Sequence, residues 1–187
     1  GEIIESPMRD KKAKTKLGKL QYRNRHKQLG NRRKKIRQSN NGRKYGQKLS
    51  KQHYKVACQR KNFLQQTTTQ LCRKYAHLKL ENLNISGMMS NHKLAGAVAD
   101  LGAYEFKRQL SYKAKWYGNR IDIIDQWFPS SKKCSNCGHK KENLNLSQRI
   151  YECDNCGLTI DRDLNASINL ANANEDVIVE SIGWVTP

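Results

Sequence analysis

Four of the six cysteines stand in two pairs whose spacing suits a metal ion. The pairs are Cys134-x2-Cys137 and Cys153-x2-Cys156, with fifteen residues between them. Zn²⁺ takes four thiolates in a tetrahedron, and a two-residue gap lets one tight turn deliver two of them. Four cysteines leave no open coordination position, so the predicted zinc is structural. An iron centre with the same ligands is the alternative.

The residues around these cysteines agree with a folded metal site. Gly138 and Gly157 follow the second cysteine of each pair, where the turn is expected to need a positive φ. Cys58 and Cys72 stand alone in helical pattern, as small buried thiols do. This arrangement of cysteines is typical of a metal-binding protein in a reducing compartment and not of a protein held together by disulfide bonds.

Several carboxylates could take part in phosphodiester chemistry. Asp161 and Asp163 stand in D-R-D-L-N-A-S-I-N at the start of a predicted helix. These residues could cap the helix, since Asp is a good N-cap. They could instead bind metal, since two-metal cleavage of a phosphodiester needs converging carboxylates. The spacing alone leaves both interpretations open. Glu81 lies at the end of a predicted strand, and that local pattern alone favours a solvated strand end. Asp125, at the end of a second strand, is the weaker candidate.

The elements that must position these groups follow an α/β pattern. Apolar residues at helical spacing predict two antiparallel helices, over about 12–37 and 47–75, with a turn at 38–42. The segments that follow are a strand over 77–83, a loop over 84–91, a helix over 94–117 and a strand over 120–125. Trp127 and Phe128 could stack on a base, but packing under the zinc ribbon is the preferred interpretation.

The charge of the chain points to a polyanionic partner. The 187 residues carry 36 Lys and Arg against 16 Asp and Glu, a formal net charge of +20. Residues 11–80 hold 23 of these bases and no acid, so contact with a phosphate backbone is expected there. No run of 18 apolar residues occurs, which excludes a transmembrane helix. The predicted nucleic-acid contacts are Lys11, Lys12, Arg23, Arg25, Arg32, Arg33, Lys34, Lys35, Arg37, Arg43 and Lys44.

Five blocks of the sequence resemble the TnpB (OrfB) family of transposon-associated, RNA-guided nucleases, which is related to type V CRISPR effectors. The blocks are E-N-L-N at 81–84, N-H-K-L-A at 91–95, E-F-K-R-Q-L-S-Y-K-A-K-W-Y-G at 105–118, F-P-S-S-K-x-C-S-x-C-G at 128–138 and D-R-D-L-N-A-S-I-N at 161–169. The resemblance implies a RuvC-like fold of RNase H type, with a zinc ribbon inserted before its final helix. It also implies DNA and guide RNA as partners, in the cytoplasm of a prokaryote at its nucleoid.

The resemblance assigns roles to particular residues. Three acidic residues bind Mg²⁺ in the family, and Glu81 and Asp163 match the second and third of them. Asp161 is the less favoured choice for the third, and Arg162 is expected near the scissile phosphate. The first Asp, in a G-x-D-x-G block, has no match in this sequence. The chain therefore resembles the C-terminal part of such a protein, with an N-terminal part of the same protein as partner, and is expected to be weak or inactive alone.

The sequence thus predicts an α/β, RuvC-like region that is incomplete at its N-terminus. Its expected divisions are 1–133, with a basic helical hairpin over 11–76, then a zinc ribbon over 134–157, a final motif and helix over 158–172, and a tail over 173–187 without an assigned fold. Two alternatives to a nuclease fragment remain at this point. One is a truncated or nuclease-dead relative that binds nucleic acid, and the other is a plain zinc-ribbon DNA-binding module.

Overall fold

The computed structural model describes residue 4 and residues 11–27, 30–31, 33–145 and 147–183, without the side chains of 11–14, 93, 94, 97, 100 and 101. The strands within these ranges are β1 (His77–Glu81), β2 (Arg120–Ile124), β3 (Ile150–Glu152), β4 (Thr159–Asp161) and β5 (Ile178–Gly183). The α-helices are α1 (Lys11–Arg23), α2 (Asn40–Lys74), α3 (Ile85–Ser90), α4 (His92–Leu101), α5 (Ala103–Tyr117) and α6 (Arg162–Ala171).

A three-stranded sheet with β2 at its centre organises the body. β1 pairs with β2 in parallel, with Glu81 opposite Ile124, and β5 pairs with β2 on the other side in antiparallel. The helices α3, α4 and α5 make the crossover that a parallel pair requires. The central strand is buried from Ile121 to Ile124, so both faces of the sheet are covered. The mixed α/β class predicted from the sequence is confirmed.

One face of the sheet packs against α2 and α5. Leu110, Ala114 and Cys72 of these helices form a core with Ile121 and Ile123 of β2. Leu78 and Leu80 of β1 join this core, which places Lys79 and Glu81 on the opposite side of the strand. On that opposite side, Lys79 Nζ donates to the carbonyl of Ala173, just after α6, at 2.6 Å. Helix α6 accordingly packs beside β1.

The prediction of one long helix over 12–37 was wrong. α1 ends at Arg23, and Asn31 and Ile36 close a short turn by exchanging two backbone hydrogen bonds of 3.0 Å. Lys35 takes a left-handed φ of 52° within this turn. The apolar periodicity that suggested a continuous helix runs across a turn, where Ile36 is exposed.

The predicted turn at 38–42 is the first turn of α2 instead. Ser39 is the N-cap, and its hydroxyl oxygen accepts the Gly42 N–H at 3.0 Å. A Ser three residues before a helical N–H satisfies one of the helix's unpaired donors. The Asn-Gly pair at 41–42 is therefore held in helical conformation.

Two further differences concern the crossover. The segment predicted as a loop contains α3, capped by Asn84, whose Oδ1 accepts the Gly87 N–H at 2.8 Å. The predicted helix over 94–117 is two helices, because Gly102 adopts a left-handed φ of 62° between α4 and α5. A glycine tolerates that conformation without the steric cost a side chain would carry.

A buried carboxylate ties the three strands together. Asp122, on β2, is fully buried and accepts hydrogen bonds from His77 Nε2 at 2.8 Å, Arg120 Nε at 2.9 Å and Ser181 Oγ at 2.7 Å. Burial alone would raise the pKa of Asp122, but the three donors outweigh it and lower that pKa. These contacts explain how β5, from the tail that had no assigned fold, is held in the sheet.

Helices α2 and α5 share a second buried polar group. Lys113 is 3% exposed, and its Nζ donates to Gln65 O at 2.8 Å, Thr68 Oγ1 at 2.7 Å and Thr69 Oγ1 at 2.9 Å. Burial lowers the pKa of Lys113. All three ammonium hydrogens have acceptors, so the buried cation fixes the register between the two helices.

Among the described residues, no helix combines the length and the apolar character needed to cross a membrane.

Candidate metal centre and carboxylate site

The structure brings the four paired cysteines into one cluster. Their Sγ atoms all lie within 4.8 Å of one another. The Sγ atoms of Cys134 and Cys156 are 3.7 Å apart, and those of Cys137 and Cys153 are 3.6 Å apart. Each of these close contacts joins one cysteine of the first sequence pair to one of the second. A Zn²⁺ ion with four Zn–S bonds of about 2.3 Å requires sulfur separations of about 3.8 Å. The cluster therefore has the dimensions of a four-thiolate tetrahedron, and its cysteines form no disulfide.

Two turns of the same backbone design present these thiols; we call residues 134–139 the first knuckle and 153–158 the second. In the first, Gly138 N donates to Cys134 O at 3.0 Å, and in the second Gly157 N donates to Cys153 O at 3.0 Å. The two glycines have φ of 75° and 71°, as the sequence predicted. Each turn places its two sulfurs on the same side.

An asparagine in each knuckle reaches across to the other. Asn136 Nδ2 donates to Cys156 Sγ and Asn155 Nδ2 donates to Cys137 Sγ, both at 3.6 Å. The C-S-N-C and C-D-N-C sequences thus supply reciprocal contacts. Hydrogen bonds of this kind orient metal ligands and stabilise their charged form.

The same contacts favour thiolates at the exposed positions. The backbone N–H of His139 lowers the pKa of Cys137 to about 6, with Asn155 adding to the effect. The pKa of Cys156 is lowered by the Leu158 N–H and then by Asn136. Burial instead raises the pKa of Cys134 to about 11. A thiol is a metal ligand only when deprotonated, so two of the four ligands are poised for metal before it arrives.

Two buried asparagines of α6 hold the first knuckle and the residues that lead into it. Asn165 is fully buried; its Oδ1 accepts the Ser135 N–H at 2.9 Å, and its Nδ2 donates to Lys133 O at 2.7 Å. Asn169 Nδ2 donates to Ser130 O at 2.8 Å and to Lys133 O at 2.6 Å. Asparagines four residues apart lie on one helix face. That face clamps α6 to the chain entering the cysteine cluster.

Asp161 and Asp163 have different environments. Asp161 is the N-cap of α6, and its Oδ1 accepts the N–H groups of Asp163 at 2.9 Å and Leu164 at 3.0 Å. Asp163 takes no part in capping, and its side chain is 68% exposed. Arg162 Nη2 lies 3.2 Å from Asp163 Oδ1, and Arg149 Nη1 lies 3.8 Å from Asp163 Oδ2. The capping interpretation therefore applies to Asp161.

Glu81 lies at the carboxyl end of β1, as predicted. The residue is exposed, yet neighbouring protein atoms displace enough water to raise the pKa of its carboxyl group. Its carboxylate has no hydrogen-bond or ion-pair partner among the residues described. Asp125, the weaker candidate, instead accepts the Trp127 N–H at 2.9 Å in a local turn. Of the two strand-end acids, Glu81 has the uncommitted carboxylate.

The fold directs Glu81 and α6 to one region of the molecule. Glu81 and Lys79 lie on the same face of β1, and Lys79 contacts the segment after α6. Asn169 and Asn165 of α6 donate hydrogen bonds to the carbonyls of Ser130 and Lys133, in the chain that follows β2. α6, whose first turn carries Asp163, thus packs beside the strand that ends in Glu81 and is fixed to the chain that follows β2.

The predicted nucleic-acid contacts are spread over an exposed basic surface. Arg23 ends α1, Arg25 stacks over the Tyr22 ring at 4.0 Å, and Arg43 and Lys44 lie in the first turns of α2. Arg33, Lys34, Lys35 and Arg37 are exposed around the turn between the helices. Arg32 and the side chains of Lys11 and Lys12 lie outside the described part of the structure.

A groove of about 740 Å³ between α1 and α2 is lined by six cations, of which the sequence reasoning predicted only Arg23. Its lining includes Lys16, Lys19, Arg23, Lys48, Lys51 and Lys55. Their i, i+3, i+4 and i+7 spacing within the two helices was the available signal, because such residues share a face.

The preferred interpretation of Trp127 was wrong. Its side chain does not pack under the cysteine cluster but is 82% exposed. The apolar support of the cluster comes from Tyr151, which is fully buried against Cys134 and Cys153, with Leu144, Leu158 and Ile160 around them.

Two protein-family models match the chain. OrfB_IS605, described as a probable transposase, matches residues 9–92, and the Cas12f1-like TNB domain matches residues 104–170. A candidate RNA-guided DNA endonuclease of Streptomyces pristinaespiralis is 35% identical over 173 residues, which make up 92% of this chain and 41% of that protein.

The chain belongs to the TnpB (OrfB) family.

Further comparisons agree with this membership. The candidate RNA-guided DNA endonuclease InsQ of Escherichia coli K12 is 28% identical over 193 residues, 95% of this chain and 46% of that protein. The chain therefore spans less than half the length of these two TnpB-family relatives. A solved structure, the cryo-EM structure of a Cas12f1–sgRNA–target DNA complex, superposes with a TM-score of 0.54 at 21% identity, over 66% of this chain and 36% of that one. That likeness supports a shared fold.

The two family models cover different functional elements of the structure. The transposase model covers the basic helices α1 and α2 and the strand that ends in Glu81. The TNB model covers α5, β2, both cysteine knuckles and most of α6. Residues of this TnpB-family chain that sequence reasoning did not single out are Asn136, Asn155, Asn165, Asn169, Asp122 and Arg149.

Proposed function

We propose that this chain is the C-terminal portion of a TnpB-type, RNA-guided and metal-dependent DNA endonuclease. Glu81 and Asp163 are two of its Mg²⁺ ligands, in a RuvC-like fold of RNase H type. The observation that carries the proposal is an uncommitted carboxylate at the end of β1 together with an exposed carboxylate in the first turn of α6, a helix that packs beside β1. Asp161 already serves the helix as its cap, which leaves Asp163 available for a ligand.

The cysteine cluster is proposed to hold a structural Zn²⁺. The sulfur separations of 3.6 and 3.7 Å fit four Zn–S bonds, and four thiolates leave no position for water or substrate. The ion would hold the two knuckles together in a segment whose own apolar core is small. Through Asn165 and Asn169, that rigidity extends to the helix that carries Asp163.

The chain's own residues have distinct parts in the proposed reaction. Divalent ions bound there would activate water and neutralise charge on the scissile phosphate. Glu81 and Asp163 supply carboxylate oxygens, the ligands that Mg²⁺ prefers. Arg162 and Arg149, beside Asp163, carry guanidinium groups suited to binding phosphate oxygens. The first carboxylate of the family's site is proposed to come from residues outside this chain.

Guide RNA and target DNA are the proposed partners of the basic surface. A formal charge of +20 and the cation-lined groove between α1 and α2 suit the phosphate backbone of a duplex. These contacts would hold the nucleic acid without reading its sequence. The proposed setting is the cytoplasm of a prokaryote, at its nucleoid.

Cleavage of a guide-matched DNA by the encoded protein, with its guide RNA and Mg²⁺, tests the proposal. Glu81→Gln and Asp163→Asn should each reduce the cleavage rate by at least about a hundredfold, because each removes a charged metal ligand without changing side-chain size. Matched controls are Glu152→Gln on β3 and Asp154→Asn in the second knuckle, both exposed carboxylates. Undiminished cleavage by either site variant would remove that residue from the site.

Metal binding can be tested on this chain without cleavage. Mn²⁺ added to zinc-loaded protein should broaden the backbone amide signals near Glu81 and Asp163 first, as a paramagnetic ion does at its binding site. Asp163→Asn should weaken that broadening. Equal broadening at Asp154 or Asp176, which are also exposed, would show that Mn²⁺ binds acidic residues indiscriminately.

A further inference from the structure

The loop that follows β2 is fixed at both ends. At its start, Asp125 N donates to Val177 O at 2.9 Å, which joins it to the segment before β5. Further on, the carbonyl of Ser130 accepts a hydrogen bond of 2.8 Å from Asn169 of α6. Trp127 lies between these anchors, and its backbone N–H donates to Asp125 Oδ1 at 2.9 Å. The backbone beneath this tryptophan is therefore held in one conformation.

The indole of Trp127 is nevertheless 82% exposed. Among the described residues, it makes no aromatic or cation–π contact. The neighbouring Phe128 differs, since it is half-buried and lies 6.0 Å from Lys133 Nζ. Trp116, the other highly exposed tryptophan, packs edge-on against Tyr112 at 4.7 Å between ring centroids. Trp127 is thus a large apolar surface that the protein presents to solvent on a rigid support.

This indole lies close to the proposed catalytic edge. Ile124, three residues earlier, pairs with Glu81 in the parallel register, and its carbonyl accepts the Asn82 N–H at 2.8 Å. Three residues of chain reach at most about 11 Å. The other anchor of the loop is Asn169 of α6, the helix whose first turn carries Asp163. Trp127 therefore stands between the two elements that carry the carboxylates.

We infer that Trp127 is a stacking platform for an unpaired nucleobase of the strand that reaches Glu81 and Asp163. The inference rests on the proposed function for the identity of that strand. Stacking on an aromatic ring needs a base that is free of its partner, so the ligand is single-stranded or locally opened nucleic acid. Lys132 and Lys133 follow on the same loop, and the strongly basic chain favours a polyanion over an apolar protein surface. Because every base has a π-face, this contact tolerates any sequence.

Fluorescence of Trp127 tests the inference directly. Trp116→Phe and Trp184→Phe leave Trp127 as the sole tryptophan in the full, zinc-loaded chain. Oligothymidylate should quench its emission. A matched strand of abasic deoxyribose phosphates, with the same charge and no bases, should bind more weakly and leave the emission unchanged.

Affinity measurements separate stacking from charge. Trp127→Ala should weaken oligothymidylate binding about 5- to 140-fold, the range that loss of one base–aromatic stack produces. The same variant should bind the abasic strand as the parent does. Trp127→Tyr should recover most of the affinity, because a phenol ring still stacks. Trp116→Ala, which removes a tryptophan on α5 that is 75% exposed, should leave binding unchanged.

The following results would overturn the inference. Unquenched emission on saturating oligothymidylate, or an equal loss of affinity for the abasic strand, would show that Trp127 does not contact bases. Unchanged affinity in Trp127→Ala would have the same meaning and would leave a protein partner as the occupant. An unaltered zinc content and urea midpoint of that variant establish that it is folded. Base-dependent quenching in this chain, with no Mg²⁺-dependent cleavage by the encoded protein and its guide RNA, would refute the proposed function alone. Cleavage by the encoded protein without quenching would refute this inference alone.

Discussion

Asn165→Ala should destabilise the fold far more than an asparagine on a helix surface would. The substitution removes the acceptor of the Ser135 N–H and one donor to Lys133 O in a fully buried position. A buried donor left without a partner costs about 1–3 kcal/mol, and the net loss of the second hydrogen bond adds about 1 kcal/mol. The expected decrease in the free energy of unfolding is therefore about 2–4 kcal/mol.

Urea unfolding of the zinc-loaded chain, followed by circular dichroism, measures this change. The matched control is Ser167→Ala on the same helix, whose exposed hydroxyl bonds only the local Leu164 carbonyl and which should change stability by less than about 0.5 kcal/mol. Asn165→Asp keeps the acceptor for Ser135 but loses the donor. It should therefore be destabilised as well, by removing the bond to Lys133 O.

The shared carbonyl of Lys133 provides a sharper test. It accepts from both Asn165 and Asn169, so either single variant leaves it one donor, whereas the double variant leaves none. The double Ala variant should exceed the sum of the two single effects by about 1 kcal/mol, since neighbouring sites that share a partner are not additive. A loss below about 0.5 kcal/mol for Asn165→Ala, or strict additivity, would refute the clamp between α6 and the first knuckle.

Three other predictions test the metal cluster, the buried carboxylate and the basic groove. Asn155→Ala should weaken zinc affinity about 10- to 100-fold, because it removes the N–H···S bond to Cys137, whereas Asn143→Ala, at an exposed position, should not. A competition titration with a chromophoric chelator measures both affinities. Equal affinities would contradict the role of the reciprocal asparagines. The pKa of Asp122 in the folded state lies below its usual value of 3.8. The ionised Asp122 therefore contributes stability above pH 3.8, and this contribution is lost as the pH falls through the folded-state pKa. In Asp122→Asn, this contribution to the pH dependence of the urea midpoint should disappear. Lys48→Gln and Lys51→Gln should each reduce, by up to about 0.9, the steepness with which log affinity for duplex DNA falls against log salt concentration. Lys140→Gln, in the ribbon, should leave that slope unchanged. Unchanged slopes in both groove variants would exclude phosphate contact at Lys48 and Lys51.

The metal cluster could be predicted because its determinants are local. Ligand type, a two-residue gap and a glycine after each pair are all visible along the chain, and Gly138 and Gly157 have the positive φ that was expected. The strand that ends in Glu81 was predicted for a similar reason, since its length and apolar alternation are local properties. What the spacing could not show is that Cys134 pairs closely with Cys156 across the ribbon.

The buried polar residues could not be predicted. Asn165 and Asn169 look like the polar face of a surface helix, because polar residues four apart usually face water. Their role depends on a carbonyl 32 residues from Asn165 and 36 residues from Asn169 in the chain, which no local pattern reveals. Asp122 was missed for the same reason: it interrupts an apolar strand, and its donors come from three different strands.

The exposure of Trp127 and the identity of β5 depended on tertiary context as well. An aromatic pair beside a cysteine knuckle suggested packing, whereas Tyr151 from the far side of the ribbon fills that space. The Val177-Ile178-Val179 run was too short to assign until β2 offered an edge for it. The break at Gly102 was hidden because apolar spacing continues on both sides of it.

The pairing of β5 with β2 has a consequence for synthesis of the protein. The cysteine knuckles and α6 leave the ribosome before Ile178–Gly183 does, so they can fold and take up metal while one side of β2 still lacks its neighbour. Until that last strand emerges, the nascent chain exposes unpaired backbone groups along an apolar strand, the kind of edge at which chains aggregate. Gly183, whose Cβ would collide with the Asn119 carbonyl, allows the late strand to close against β2. A substitution at this position would therefore reduce soluble yield more than it reduces the activity of the molecules that do fold.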